Sequence, residues 1–467
     1  MAESLPKSAI KTKPSFTEGS LFKSIMLFSL PLMASQILQV LFNISDVIIV
    51  GKGVAESTVP VGAVGSTSTL LTLFTGFLIG LGAGINVKTA QYLGAKKAKD
   101  VKDTVNTSLV LSAIMGVVIF AACFFFARGM LEILKTKEEL IDKAVIYLKI
   151  YSFGMPAMAI FNYGNGILSA AGDTKRPLVY LTVSGLLNVG LNFVFVLACK
   201  LDVEGVALAS VITQYLSGIA VIVRLIKIKG MHRLEFKGFT FNGKKAAEVL
   251  ILGIPAGIQN AIFAIANIFI QIGINKFPYK EVTGITTAQN IDTVIYNVMA
   301  AFYTACSTFM GQNYGAGKKD RVLKSYYITM FYAFLFGLIF GIFVFFKGEV
   351  LLALFDDDPE VIAAGMEKLK VMGFIYCLGA FMDNTIAASR GIGKSLIPTI
   401  IVIIGSCLFR IVWIYTIFAR FNTIPSLFLL YPVSWVITAI AEMIYFFIAF
   451  KKTRFPDSPS PQPQTET

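Results

Sequence analysis

Long apolar runs alternate with short polar ones along nearly the whole chain. Twelve apolar spans stand out, at about 23–50, 58–86, 104–127, 145–171, 178–199, 205–223, 249–275, 283–310, 325–346, 370–389, 396–418 and 426–450. Most are long enough to cross about 30 Å of hydrocarbon as helices. The polar stretches between them alternate in charge. Lysines and arginines crowd the N-terminus (Lys7, Lys11, Lys13, Lys23), the second loop (Lys88, Lys96, Lys97, Lys99, Lys102), the sixth, the eighth (Lys318, Lys319, Arg321, Lys324) and the C-terminus (Lys451, Lys452, Arg454). The odd loops are neutral or acidic, as in Asp356-Asp357-Asp358-Pro359-Glu360. By the positive-inside rule both termini are cytoplasmic. The pattern predicts an all-α polytopic membrane protein with twelve transmembrane helices.

The spans repeat. Gln91-Tyr92-Leu93-Gly94-Ala95-Lys96-Lys97 returns as Gln312-Asn313-Tyr314-Gly315-Ala316-Gly317-Lys318, 221 positions later. Ala171-Gly172-Asp173-Thr174-Lys175 is echoed by Arg390-Gly391-Ile392-Gly393-Lys394, and Ser29-Leu30-Pro31 by Gly253-Ile254-Pro255. Each half holds an even number of spans, so the second starts on the same side as the first. Two six-helix lobes related by a pseudo-two-fold along the membrane normal follow. The division expected is a cytoplasmic segment 1–22, an N-lobe 23–223, a basic cytoplasmic linker 224–248, a C-lobe 249–452 and a disordered proline-rich tail 453–467.

Composition agrees: 55% of residues are hydrophobic and 15% charged, with a mean hydropathy of +0.72. The formal net charge of +13 belongs to the cytoplasmic loops and does not call for a nucleic-acid partner. One histidine, His232, and five scattered cysteines leave no metal, redox or histidine-base chemistry to build on, and no cofactor is expected. No cleavable leader precedes the first span, which serves as an uncleaved anchor. Gly76, Gly80 and Gly84, spaced by four, mark a close helix contact.

Ionisable groups at depth cost several kcal/mol and need a reason. Span 1 carries Asp46, span 8 Asp292, span 10 Asp383, span 11 Arg410 and span 12 Glu442. Asn188 and Asn192 share one face of span 5. At about 1.5 Å per residue, Asp46 lies roughly 34 Å and Asn192 roughly 21 Å from the cytoplasmic edge. A carboxylate among amides suits a reversible proton site or a sodium site, because burial disfavours the bare charge. Arg410 at roughly 21 Å and Asp292 at roughly 27 Å can pair as a salt bridge or carry coupling, and Asp383 lies nearer the cytoplasm at about 9 Å. The repeat breaks at these charges: Asp46 maps onto Ile270, whereas Asn43 maps onto Asn267.

Asn165-Gly166-Ile167-Leu168-Ser169-Ala170-Ala171-Gly172-Asp173-Thr174-Lys175-Arg176-Pro177 resembles the span-4 signature of the multidrug and toxic compound extrusion (MATE) transporters. Gly205-Val206-Ala207-Leu208-Ala209-Ser210, Gly311-Gln312-Asn313-Tyr314-Gly315-Ala316-Gly317, Cys407-Leu408-Phe409-Arg410-Ile411-Val412-Trp413-Ile414 and Tyr431-Pro432-Val433-Ser434-Trp435 are similar to stretches of bacterial members. The resemblance covers about residues 20–452. It implies a monomeric, non-enzymatic antiporter of the bacterial inner membrane that exports small organic, chiefly cationic, compounds against entry of H⁺, which is favoured, or Na⁺. It puts the ion site at Asp46, Asn188 and Asn192, with Ser210 or Thr213 as a span-6 hydroxyl. Those three lead residues would be the metal ligands if the ion is Na⁺. It puts a bend at Pro31. Asn162, Tyr163, Asn165 and Gln259 are the expected cavity residues, with Asp292, Asp383 and Arg410 as a C-lobe charge network. Arg410 is the only basic residue read as lying deep in a span, which favours a cationic or neutral substrate over the phosphate of a lipid-linked precursor, the alternative cargo for a flippase of the same superfamily.

Overall fold

A computed structural model describes residues 16–53 and 59–456; side chains are described there except at 43–62 and 197. Among the described residues every regular element is helical. Twelve membrane-length segments follow one another: α1 Leu21–Gly53, α2 Val59–Gly94, α3 Ala98–Ile133, α4 in two pieces (Glu138–Ser152 and Met155–Ala170), α5 Lys175–Asn192, α6 Val203–Lys227, α7 Gly243–Ile274, α8 Tyr279–Gly315, α9 Lys319–Leu352, α10 in two pieces (Pro359–Met372 and Tyr376–Gly391), α11 Leu396–Phe421 and α12 Ile424–Lys452. By length and apolarity nine described helices can each cross a membrane, and the two bent pairs make eleven. The twelfth is α8, a 37-residue helix whose Gln289, Asn290, Asp292, Asn297 and Gln312 dilute its apolar character.

The bends correct two span limits read from the sequence. The pieces of α4 meet at 47° and those of α10 at 54°. The first piece of α10 carries Glu367, Lys368 and Lys370 and reads as loop by hydropathy, yet Val361, Ala364, Leu369 and Met372 bury one face of it. Pro359 at its first turn and Asp358 as N-cap start it.

The two sixes pack alike. In the first, α4 contacts α2, α3 and α6, while α5 lies against α1 and α6. In the second, α10 contacts α8, α9 and α12, while α11 lies against α7 and α12. The halves meet through matching pairs, α2 on α7 and α1 on α8, with α2 on α8 near the axis. This is the pseudo-two-fold expected of a same-orientation repeat, and the molecule is a two-lobe, twelve-helix membrane protein. Gly80 and Gly84 of α2 abut Gly257 and Gly253 of α7, so the glycine ladder serves close packing between halves.

The repeated motif forms the seam at the basic end. Gln91 Nε2 donates to Gly391 O (3.0 Å) and Gln312 Nε2 donates to Ala170 O (2.5 Å). A Cβ on Gly94 would stand 1.9 Å from Gln312 O, and one on Gly315 would stand 1.8 Å from Gln91 O. All four relations interchange under one shift of 221 residues. The structure also moves the second echo into that register: left-handed Gly172 (φ 82°) matches left-handed Gly393 (φ 86°), as Lys96 (φ 55°) matches Gly317 (φ 70°). Each motif also grips the chain entering the other half. Lys245 Nζ donates to Tyr92 OH (2.7 Å) and pairs with Asp100 (2.8 Å), while Lys318 Nζ and Arg321 Nη2 donate to Thr17 O (2.9 Å) and Phe16 O (3.2 Å).

Candidate functional site

Asp46 lies on α1, and its side chain is outside the described residues. The amides and hydroxyls expected with it on α5 and α6 are described. Asn192 Nδ2 donates to Asn188 Oδ1 (3.2 Å), and Asn188 Nδ2 reaches Thr213 Oγ1 (3.5 Å). Thr213 in turn donates to the Ala209 and Ser210 carbonyls (2.9 and 3.0 Å). Asn188, Asn192, Ser210 and Thr213 are all buried. The two amides share a face because they are four apart on a helix, and α6 brings its hydroxyls to that face. Asn188, Asn192 and Thr213 therefore converge, and the hydrogen bonds described among them join amides, a hydroxyl and backbone carbonyls.

The backbone sets the level of this cluster. A Cβ on Gly185 of α5 would lie 2.0 Å from Phe42 Cε2 of α1. Both helices run away from the basic end. One turn further along each lie position 46 on α1 and Asn188 on α5. Directly after Asn192 the α5 helix widens into a π-helical stretch, Phe193–Ala198. Pro31 sits inside α1, where it removes a backbone donor, and Ser35 Oγ donates to its carbonyl (2.9 Å).

The cavity residues expected on α4 divide. Tyr163 is fully buried in a core with Leu81, Ile85, Val105 and Val221 and faces no open space, which corrects its assignment as a lining residue. Its ring supplies the apolar contact that holds α4 against α2, α3 and α6. Asn162 Nδ2 bonds back to Met158 O (3.0 Å), and Asn165 Oδ1 accepts from Ser169 (3.4 Å). Gln259, 4% exposed, accepts a hydrogen bond from Arg390 Nη2 (2.7 Å).

The C-half charges are arranged differently from the sequence expectation. Asp292 does not pair with Arg410. Its Oδ2 lies 2.6 Å from Lys368 Nζ, and its other oxygen accepts from the Tyr376 hydroxyl. Lys368 is fully buried, with its ammonium 5.1 Å from the Phe428 ring. The physical reason is the bend of α10: the first piece turns its buried face, Lys368 included, onto α8. Arg410 lies over Tyr431 (4.6 Å) and Phe263 (5.6 Å) instead. Nearer the basic end, Arg390 has Asp383 and Glu442 within electrostatic range, and Glu442 is fully buried. Lys368 thus stands at depth in this half beside Arg410, with Arg390 nearer the basic end, and Asp292, Asp383 and Glu442 are the carboxylates around them. Lys368 and Arg390 were missed because each adjoins a polar run that reads as loop. A helical period through 361–372 was the one signal for Lys368.

Two six-helix lobes joined across a symmetric seam, with an amide–hydroxyl cluster inside the first and a charged cluster inside the second, define a membrane transporter fold. The MatE family model matches residues 31–194 and 255–416, one match per half. The chain belongs to the MATE family of multidrug efflux transporters. It is 28% identical over 367 residues to a probable multidrug resistance protein, YpnP, of Bacillus subtilis, covering 77% of this chain and 80% of that one. It is 25% identical to a probable multidrug resistance protein, NorM, of Thermotoga maritima, covering 82% of both. A solved MATE transporter in an outward-facing conformation superposes with a TM-score of 0.87 at 21% identity, over 94% of this chain and 99% of that one.

Proposed function

We propose that this protein is a cation-coupled antiporter that exports small organic compounds by alternating access. The supporting observation is the level of position 46 on α1 with the amide–hydroxyl cluster of Asn188, Asn192 and Thr213, set by the Phe42–Gly185 contact. An ion arriving from outside neutralises the Asp46 carboxylate. A proton needs only that carboxylate. Na⁺ would take oxygens of Asp46, Asn188 and Asn192, with Ser210 and Thr213 at hand. Amides and hydroxyls adapt to either form of the acid, and a single carboxylate favours H⁺.

The charge change acts on α1, which touches both α5 and α8. Reshaping α1 about Pro31 then loosens α1 from α8 and works on the seam between halves. Coupling requires that ion and substrate bind the two conformations unequally. In this reading the lobes are 23–223 and 249–452, the basic end is cytoplasmic in a bacterial inner membrane, and the monomer carries the complete pathway.

The preference for cationic over anionic cargo rested on Arg410 standing alone, and Lys368 and Arg390 remove that premise. Organic cargo remains, with its charge taken up below. The lipid-linked precursor flippase is the weaker reading, because three carboxylates stand beside the three basic groups. The test is transport in inverted vesicles with H⁺ and Na⁺ gradients imposed separately. Export of an aromatic dye, whether a cation such as ethidium or an anion such as carboxyfluorescein, driven by one gradient is the expected result; export of neither dye under either gradient overturns the reading.

A further inference from the structure

We propose that Arg410 is the docking point for an anionic group on the transported compound, which makes the substrate class soluble aromatic organic molecules bearing a carboxylate or phosphate. The proposal rests on the transporter reading above and adds the substrate's charge to it.

Arg410 is 4% exposed, on α11. A guanidinium held at such depth normally has a carboxylate against it. Among the described residues none lies within 4 Å, and Lys368 has taken the acid expected for it. Asp383 is the carboxylate in electrostatic range, and it shares that range with Arg390. Arg410 makes no described hydrogen bond, and its Nε is buried without a partner. The rings of Tyr431 and Phe263 hold the guanidinium plane, and such contacts contribute about 1–2 kcal/mol, less than burial costs. An aromatic clamp fixes the plane and leaves the fork of N–H donors for a planar oxyanion.

The backbone singles out the same residue. Arg410 sits in a five-residue α-helical stretch, Phe409–Trp413, between π-helical Ile403–Leu408 and Ile414–Phe418. π-helical turns in long helices concentrate at functional sites. The stretch from Ile414 matches the one from Phe193 in the first half, 221 positions earlier. Arg410 is therefore one turn before the equivalent of Asn192, the amide of the proposed ion site. Tyr296 of α8, half-exposed, stands in electrostatic range of Arg410, Asp383 and Arg390. The first half thus presents amides at this level and the second a guanidinium.

The full-length protein in lipid nanodiscs is titrated with carboxyfluorescein, an aromatic anion, and with ethidium, an aromatic cation, by fluorescence anisotropy. Arg410→Gln is expected to weaken carboxyfluorescein binding by about tenfold or more, and Arg410→Lys by less, because Lys keeps the charge and loses the fork. Ethidium affinity and the unfolding temperature are expected not to fall, which separates lost recognition from lost folding. Equal carboxyfluorescein affinity in wild type and Arg410→Gln overturns the proposal, as does a wild type that does not bind carboxyfluorescein. Carboxyfluorescein binding that is abolished when phosphatidic acid is included in the nanodisc gives the site to a lipid headgroup and also overturns it. Gradient-driven ethidium export that persists in these failures leaves the transporter reading intact.

Discussion

Lys368 and Asp292 show what one buried charge costs when its partner is removed. The ammonium is fully buried and depends on Asp292, which also holds the Tyr376 hydroxyl. Asp292→Asn leaves Lys368 charged and unmatched, a loss of about 3–5 kcal/mol by analogy with other buried pairs. Asp292→Asn combined with Lys368→Met removes both charges and is expected to recover most of that loss. Thermal unfolding in detergent measures both, and a double variant as unstable as the single one would refute the pairing. Residue chemistry was legible in sequence where spacing alone brings groups together. Asn188 and Asn192 follow from a four-residue step, whereas Thr213 came, with Ser210 as its alternative, only from the family resemblance. Partners that depend on a bend were not legible. Lys368 reaches Asp292 only because α10 breaks at residues 373–375, and no local pattern gives that angle. The Asp292–Arg410 pairing failed for the same reason.

At the scale of elements, the seam carries the argument. Gln91, Gly94 and their equivalents Gln312 and Gly315 interlock so closely that neither glycine position can hold a side chain without moving the opposite helix. If the lobes separate here during each cycle, a covalent link across the seam stops transport. A Cβ on Gly311 would stand 3.2 Å from Ala90 Cβ, near the distance a disulfide spans. Ala90→Cys with Gly311→Cys is expected to abolish export in inverted vesicles when oxidised and to restore it on reduction. Full export with the bond formed would show that this seam stays closed throughout. The sequence held the motif and its repeat, because both halves use the same residues for the same contact. The function of the motif was not readable, since its partners are carbonyls of Ala170 and Gly391 on helices far along the chain.

At the scale of the whole molecule, the two-fold repeat gives the architecture and loop charge predicts the orientation. The basic loops gather at the seam end, and Cys199 lies exposed at the opposite end. The other four cysteines are buried. A membrane-impermeant maleimide added to intact cells is therefore expected to label Cys199 from outside and to miss it in a Cys199→Ser variant. Labelling only after the membrane is opened would reverse the orientation. The duplicated scaffold carries unlike charges, and division of labour follows from that difference. The first half offers a carboxylate position beside amides and hydroxyls, and the second holds carboxylates and basic groups in near balance. The proposed function assigns ion coupling to the first half. The most direct test is H⁺-gradient-driven export by Asp46→Asn in inverted vesicles. Loss of coupled export with substrate binding retained is the result predicted; export unchanged from wild type would contradict the account.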